Sequence, residues 1–272
     1  MSDSSRVYAI HSDEECDRLE RQASLSGLDD HLRHLRIPLG AKILDAGCGS
    51  GSMTRLIARA EPGASVIGVD VRPHYIDYAR KKAAQEGLLN VTFMQGDVFS
   101  LPFEQPSFDV VWTKYLLQWL KEPKKALAEF KRVTLPGGFI VSCDFDGFVV
   151  EHFPIERTFE EKLRSVMSSL VDTQMGRKVA PYMMELGLQG VTIEIEKDRV
   201  FTVVGAIDEE RRRNWAIQWS AALPHIVSQF PSEIDAREFV NRFMAIHDDP
   251  KTSSITTMIV SSGMVPKETR NA

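Results

Sequence analysis

Short apolar runs alternate with amphipathic stretches along this chain, and their spacing marks out its elements. Residues 7–11 lead to Ser12, a helix N-cap with Glu15 three positions on, and Leu19, Ala23, Leu28, Leu32 and Leu35 then form one apolar stripe that Gly27 divides. Ile43 and Leu44 end a short buried strand, and residues 53–59 resume at helical spacing. A second apolar strand covers 65–69. Residues 72–86 form an amphipathic helix, with Ile76, Ala79, Ala83 and Ala84 opposite Arg80, Lys81, Lys82 and Gln85, and Gly87 ends it. Further strands are predicted from residue 90, at 109–112 and at 139–143, with a helix over 123–133 and a tight Leu135-Pro136-Gly137-Gly138 turn before the fifth strand. Strands and helices in this alternation predict an α/β protein.

The second half is less regular. Helices are expected over 156–169 and 173–186, the latter capped by Gly187. Residues 191–204 read as one long strand interrupted by charges. Residues 207–247 read as a helical insertion rich in aromatics (Trp215, Trp219, Phe230, Phe239, Phe243), and 254–263 as the closing strand.

The densest chemistry lies between the first strand and its helix, where residues 41–51 read Ala-Lys-Ile-Leu-Asp-Ala-Gly-Cys-Gly-Ser-Gly. A strand that turns through glycines into a helix brings bare backbone N–H groups close to a ligand. Asp45 places a carboxylate at the strand tip, suited to a cationic ligand group. About 20 residues past the glycines, Asp70 ends the second strand, where an acid grips the ribose hydroxyls of an adenosine cofactor. Gly47, Gly49 and Gly51 are spaced G-x-G-x-G, not G-x-G-x-x-G, which favours a smaller adenosine ligand over a dinucleotide. One βα unit later, Gly96-Asp97-Val98 marks the tip of the third strand.

The phrase LDAGCGSG followed by Asp70 resembles the cofactor motif of the class I S-adenosylmethionine-dependent methyltransferases. Ser107-Phe108-Asp109-Val110-Val111 and the Leu-Pro-Gly-Gly turn follow in that family's order. Tyr8, then Arg18 or Arg21 with Gln22 and Ala23, resembles the opening of its small-molecule subgroup. The resemblance implies a seven-stranded, Rossmann-like, doubly wound sheet whose last strand runs antiparallel between strands five and six. It implies a helical cap at 1–40 and a methyltransferase domain at 41–272, with 206–250 as a helical lid. S-Adenosylmethionine is the implied cofactor. Gly47, Gly49 and Gly51 would approach its methionine part and Asp45 its ammonium. Asp70 would take the ribose, with Val71 and Gln22 alongside, Asp97 and Val98 the adenine, and Lys114 would act through its backbone.

Methyl transfer needs alignment more than a universal base, so the catalytic group is less marked than the cofactor site. Tyr8 and His11 are the candidate catalytic residues. His152 and His225 are further candidate bases for an acceptor that must lose a proton. Tyr115, Trp119, Asp144, Trp215, Trp219 and His225 are candidate acceptor contacts, core packing being the other reading of the aromatics. Asp144 and Asp146 lack a third ligand, so no metal is expected.

Composition narrows the partners. A net charge of −5 gives no electrostatic footprint for nucleic acid, and Arg211-Arg212-Arg213 reads as a solvated helix face. Cys16, Cys48 and Cys143 are odd in number and widely spaced, which suits a reducing compartment. The chain starts without a secretion signal and has no run of ~18 apolar residues, so a cytoplasmic protein away from the membrane is expected, as monomer or homodimer. The expected activity is methylation of a small, aromatic or partly apolar natural product at N, O or C. The alternatives are a catalytically silent cofactor-binding relative and a nucleotide-dependent oxidoreductase.

Overall fold

Five parallel strands form the first part of the sheet: β1 (Lys42–Ala46), β2 (Ser65–Asp70), β3 (Val91–Gln95), β4 (Phe108–Lys114) and β5 (Thr134–Phe153). The structure is a computed structural model and describes residues 13–26, 29–35 and 37–267. β8 (Ser253–Met264) lies antiparallel between β5 and β6 (Gln189–Lys197), giving the order β3-β2-β1-β4-β5-β8-β6, and the two-residue β7 (Val203–Val204) pairs with β8 off this path. The expected seven-stranded order is thus present, with one short strand added. β1 and β4 are buried on both faces, as their near-continuous apolar runs require, whereas β6 at the edge is mostly exposed and carries Glu194, Glu196 and Lys197.

Helices flank the sheet. α1 (Asp13–Ser26) and α2 (Asp29–Leu32) precede it, and α3 (Ser52–Ala60), α4 (Pro73–Gln85) and α5 (Pro123–Val133) cross between parallel strands. α6 (Arg157–Leu170) and α7 (Met175–Glu185) follow β5, and α8 (Glu209–Ile226) and α9 (Glu233–Asp248) form the helical insertion. Asp208 and Ser232 cap α8 and α9 through their side chains. No helix among the described residues is long and apolar enough to cross a membrane.

Two elements depart from the sequence pattern, each for a local reason. β5 extends far beyond 139–143 because β8 pairs with it along both Phe139–Asp146 and Glu151–Phe153. The Leu-Pro-Gly-Gly turn bulges out inside this strand, between the pairs Phe108–Thr134 and Val110–Phe139. The predicted strand over 191–204 breaks at Asp198. Its buried carboxylate accepts the N–H groups of Val200 and Phe201 at 2.9 and 2.7 Å, and this turn competes with the sheet ladder.

Two apolar cores matter for the site. One fills the sheet interface with α5 and α7 around Val111, Phe130, Ile140 and Met183. The other lies over the far half of β5, where Phe145, Phe159, Trp215, Trp219, Phe239 and Phe243 bind α6, α8 and α9 together. Each such side chain contributes about 1.5–3 kcal/mol on burial. Between this second core and the tips of β1 to β4 a crevice opens, at the point where the strand order reverses.

Candidate active site

After β1 the chain turns through Gly47, Gly49 and Gly51, all at positive φ (75°, 55° and 78°). The N–H groups of Gly47 and Cys48 both donate to the Val69 carbonyl, at 2.8 and 3.0 Å, which fastens the turn to β2. The glycines differ in what surrounds them. A Cβ on Gly51 would lie 2.6 Å from Phe93 Cε1 and 2.8 Å from Ala79 Cβ, so this residue lets α3 start close against β3 and α4. A Cβ on Gly49 would approach only Leu19 Cδ1, at 3.5 Å. Its bare backbone therefore faces open space beneath α1.

Three acids surround the turn. Asp70 Oδ2 accepts the Gly49 N–H at 3.1 Å and Oδ1 accepts the Arg72 N–H at 3.0 Å, and burial raises its carboxyl above the ordinary range. Asp45, 2% exposed, accepts the Thr54 hydroxyl at 2.6 Å and is pushed up to about 7, chiefly by burial. Asp97 accepts the Phe99 N–H at 2.9 Å in a turn at the tip of β3.

These groups line one end of a cavity of about 350 Å³, within the ~300–1,000 Å³ range of small-molecule pockets. α1 closes one side with Arg18, Leu19 and Gln22. The buried Arg18 guanidinium holds both Glu15 oxygens at 2.7 Å, reaches Gln22 Oε1 at 2.5 Å and meets Asn214 Oδ1 at 3.4 Å, which ties α1 to α8. The other end is aromatic, with Tyr115, Trp119, Phe145 and Phe201. Tyr115 is held at φ 56°, stacks on Phe145 at 4.2 Å and donates its hydroxyl to Asp198 Oδ2 at 2.6 Å. Burial raises both Tyr115 and Asp198. Beside them Lys114 Nζ lies 2.9 Å from His31 Nε2 and 4.6 Å from the Tyr115 ring centre. Burial lowers Lys114, and burial beside Lys114 holds His31 down to about 2, as a neutral ring.

The structure brings most of the sequence candidates to this cavity: Gln22, Asp45, Gly47, Gly49, Asp70, Val71, Asp97, Val98, Lys114, Tyr115 and Trp119. Gly51 sits in helix–sheet packing outside the lining. Asp144 is fully buried behind it, accepting the Ser142 hydroxyl at 2.6 Å and the Gln118 N–H at 3.4 Å, and burial pushes it up to about 6. Trp215 and Trp219 belong to the second core, 1% and 6% exposed, and His225 is half-buried at the end of α8, outside the lining. His152 packs on the rings of Phe243 and His247. Tyr8 and His11 lie outside the described residues. Asp146 forms an ion pair with Arg177. Among the described residues, the cluster with metal-ligand geometry is instead His31, His34 and Glu196, behind Lys114.

The sequence places Gln118 just after the fourth strand's tip, where ligands lie, and the cavity lining includes it; Phe145, Asp198, Phe201 and Gln218 were not singled out. Asp198 and Phe201 were signalled only by the charges interrupting the 191–204 run. Gln218 sits on a helix whose facing side no pattern revealed.

Known proteins bear on this site. The family described as a methyltransferase domain matches residues 39–198. A 37.1 kDa protein in transposon TN4556 of Streptomyces fradiae is 31% identical over 198 residues, covering 70% of this chain and 56% of that protein. Demethylmenaquinone methyltransferase of Thermus thermophilus is 36% identical over 104 residues, 38% of this chain and 47% of the enzyme. The chain spans about half the length of the curated relatives it matches. Among solved structures, phosphoethanolamine N-methyltransferase 2 of Haemonchus contortus, in complex with S-adenosyl-L-methionine, shares the fold with a TM-score of 0.63 at 18% identity, covering 94% of this chain and 58% of that one. With the family match spanning more than half of its length, over the glycine turn and the strand tips that line the cavity, this chain belongs to the class I S-adenosylmethionine-dependent methyltransferases.

Proposed function

We propose that the protein transfers the methyl group of S-adenosylmethionine to a small, aromatic or partly apolar acceptor. The observation that carries this reading is a cavity with two chemically distinct ends. The glycine-turn end suits the cofactor. Asp70 would hold the ribose hydroxyls with Val71 beside it, Asp97 and Val98 the adenine, and Gly47 and Gly49 would admit the methionine part beneath Leu19 and Gln22. Asp45, a buried carboxyl raised to about 7, suits an ammonium group.

The cofactor supplies an electrophilic methyl group on a sulfonium centre. The chain's own residues position the acceptor and exclude water. Tyr115, Trp119, Phe145 and Phe201 offer flat apolar faces for it, and α8 and α9, within the 206–250 lid, cover that end. For an acceptor that loses a proton, the Tyr115 oxygen takes it as the tyrosine hands its own proton to Asp198. Tyr8 and His11 stand as further proposals for that role. A natural-product acceptor fits the aromatic wall, and the free thiols of Cys16, Cys48 and Cys143 fit a reducing cytoplasm.

Calorimetry with S-adenosylmethionine, its demethylated product and NADPH tests the reading. Micromolar binding of the first two and none of NADPH is expected, and Asp70→Asn should weaken binding by roughly 10–150-fold. Binding of NADPH alone would overturn it. Cofactor binding with no methyl transfer to indoles, phenols or amines would favour the cofactor-binding regulator.

A further inference from the structure

Behind Lys114, on the side away from the cavity, the one-turn helix α2 and the residues after it meet the exposed edge strand β6. His31 and His34 project from the first and Glu194 and Glu196 from the second. Ligand atoms of His31, His34 and Glu196 all lie within 4.8 Å of one another. Their side chains are only 2%, 3% and 9% exposed. His31 Nδ1 is a buried nitrogen with no hydrogen bond, facing Glu196 Oε2 at 3.5 Å, while Nε2 of the same ring is taken up by Lys114.

Ligation through Nδ1 places the ring hydrogen on Nε2, so the Lys114 ammonium, which can only donate, swings away from the ring when an ion binds. Two ligand atoms bound to one tetrahedral zinc at 2.0–2.1 Å lie about 3.3 Å apart, close to the His31–Glu196 separation. His34 Nε2 touches Glu196 Oε1 at 2.5 Å and would move out by about 1 Å to share the ion. Its other nitrogen, Nδ1, faces Glu194 Oε2 at 3.3 Å. A metal-bound histidine whose second N–H is held by a carboxylate is the usual support of such a site. Arg33, 61% exposed, contacts the same Glu196 oxygen, and an ion would displace it toward solvent.

We propose that His31 Nδ1, His34 Nε2 and Glu196 form a zinc site, oriented by Glu194, that fastens the segment before the sheet to strand β6. Two imidazoles and one carboxylate are a zinc-type donor set with a fourth position open to water. The ion would sit one residue behind the cavity wall, with Lys114 between it and the acceptor end. The assignment concerns these residues alone and does not depend on the methyl donor or acceptor.

The test is zinc uptake by untagged, chelator-stripped protein, measured by elemental analysis after dialysis and by competition with a chromogenic chelator. One zinc per chain is expected. His34→Ala and the near-isosteric Glu196→Gln should each lose at least ~100-fold in affinity, and Glu194→Gln about 10–100-fold. Cobalt should give the absorption of a tetrahedral ion in the unaltered protein and not in Glu196→Gln. Circular dichroism and the melting temperature of metal-free protein verify that each variant is folded. No stoichiometric zinc in the unaltered protein would mean that Arg33 and the histidines form an ion cluster only. Zinc uptake unchanged in both His34→Ala and Glu196→Gln would place the ion elsewhere. Either result overturns the site.

Discussion

The two ends of the cavity are built by different means. The glycine-turn end comes from the tips of three successive strands. Asp45, Asp70 and Asp97 each close β1, β2 or β3, and backbone N–H groups hold the carboxylates of the last two. The aromatic end gathers Tyr115 after β4, Phe145 from the middle of β5, Phe201 beyond β6 and Gln218 from α8. The first end is anchored in the parallel half of the sheet, the second in a separate apolar core under α6, α8 and α9. One end can therefore stay fixed by local chain geometry while the other changes with every helix laid over β5. On the proposed function, a fixed cofactor end beside an adaptable acceptor end would suit a constant donor and an acceptor of the chain's own.

The strongest way to break this comparison is to damage one core. Trp215 packs on Phe201, Phe243 and His247 but does not line the cavity, so Trp215→Ala should cost about 3–5 kcal/mol in urea unfolding. Below its unfolding transition the variant should bind S-adenosylmethionine as the parent does. A parallel loss of cofactor affinity would show that the two ends are not separable. Next, Tyr115→Phe removes the hydroxyl that Asp198 holds. For an acceptor deprotonated through this pair, kcat should fall about 100- to 10,000-fold with cofactor affinity unchanged. A raised KM with kcat intact would reduce Tyr115 to a stacking wall. On the opposite end, Asp70→Asn should act on cofactor affinity and leave the unfolding of the lid core untouched, as thermal melts with and without cofactor would record.

The same division explains what the sequence made legible. The glycine turn, Asp70 and Asp97 are readable because each is set by a few neighbouring residues at a strand end. The βα repeat marks the parallel strands, whereas the sheet order and its antiparallel closing strand come from the family resemblance of the glycine-turn motif. The aromatic end is not readable in this way. Trp119 and Trp215 are the same residue type, yet Trp119 lines the cavity from the turn after β4 while packing on the second core, and Trp215 lies wholly inside that core, a difference that local pattern does not carry. Asp198 sat inside a run that looks like one strand, because a side-chain turn that breaks a β-ladder has no periodicity of its own. The His31-x-x-His34 pair is local, but Glu196 joins it only through the position of β6 at the sheet edge.

Asp45 gives the smallest and most direct test of the cofactor end. Its carboxyl is raised to about 7 by burial, against an ordinary value near 4 in the unfolded chain. Between these values the folded protein binds the proton more tightly, so this group's stabilising contribution is full below pH ~4 and is lost as pH rises toward 7, at no more than about 1.4 kcal/mol per unit. A bound ammonium reverses the preference by favouring the ionised carboxylate. S-Adenosylmethionine should therefore bind about tenfold more weakly at pH 6 than at pH 8, with close to one proton released per molecule bound at the lower pH. Calorimetry in buffers of different ionisation enthalpy reads that proton directly. Asp45→Asn should abolish the release and flatten the pH dependence. Proton release that persists in the variant would move the linked group away from the strand tip, and with it the place where the cofactor's cation is met.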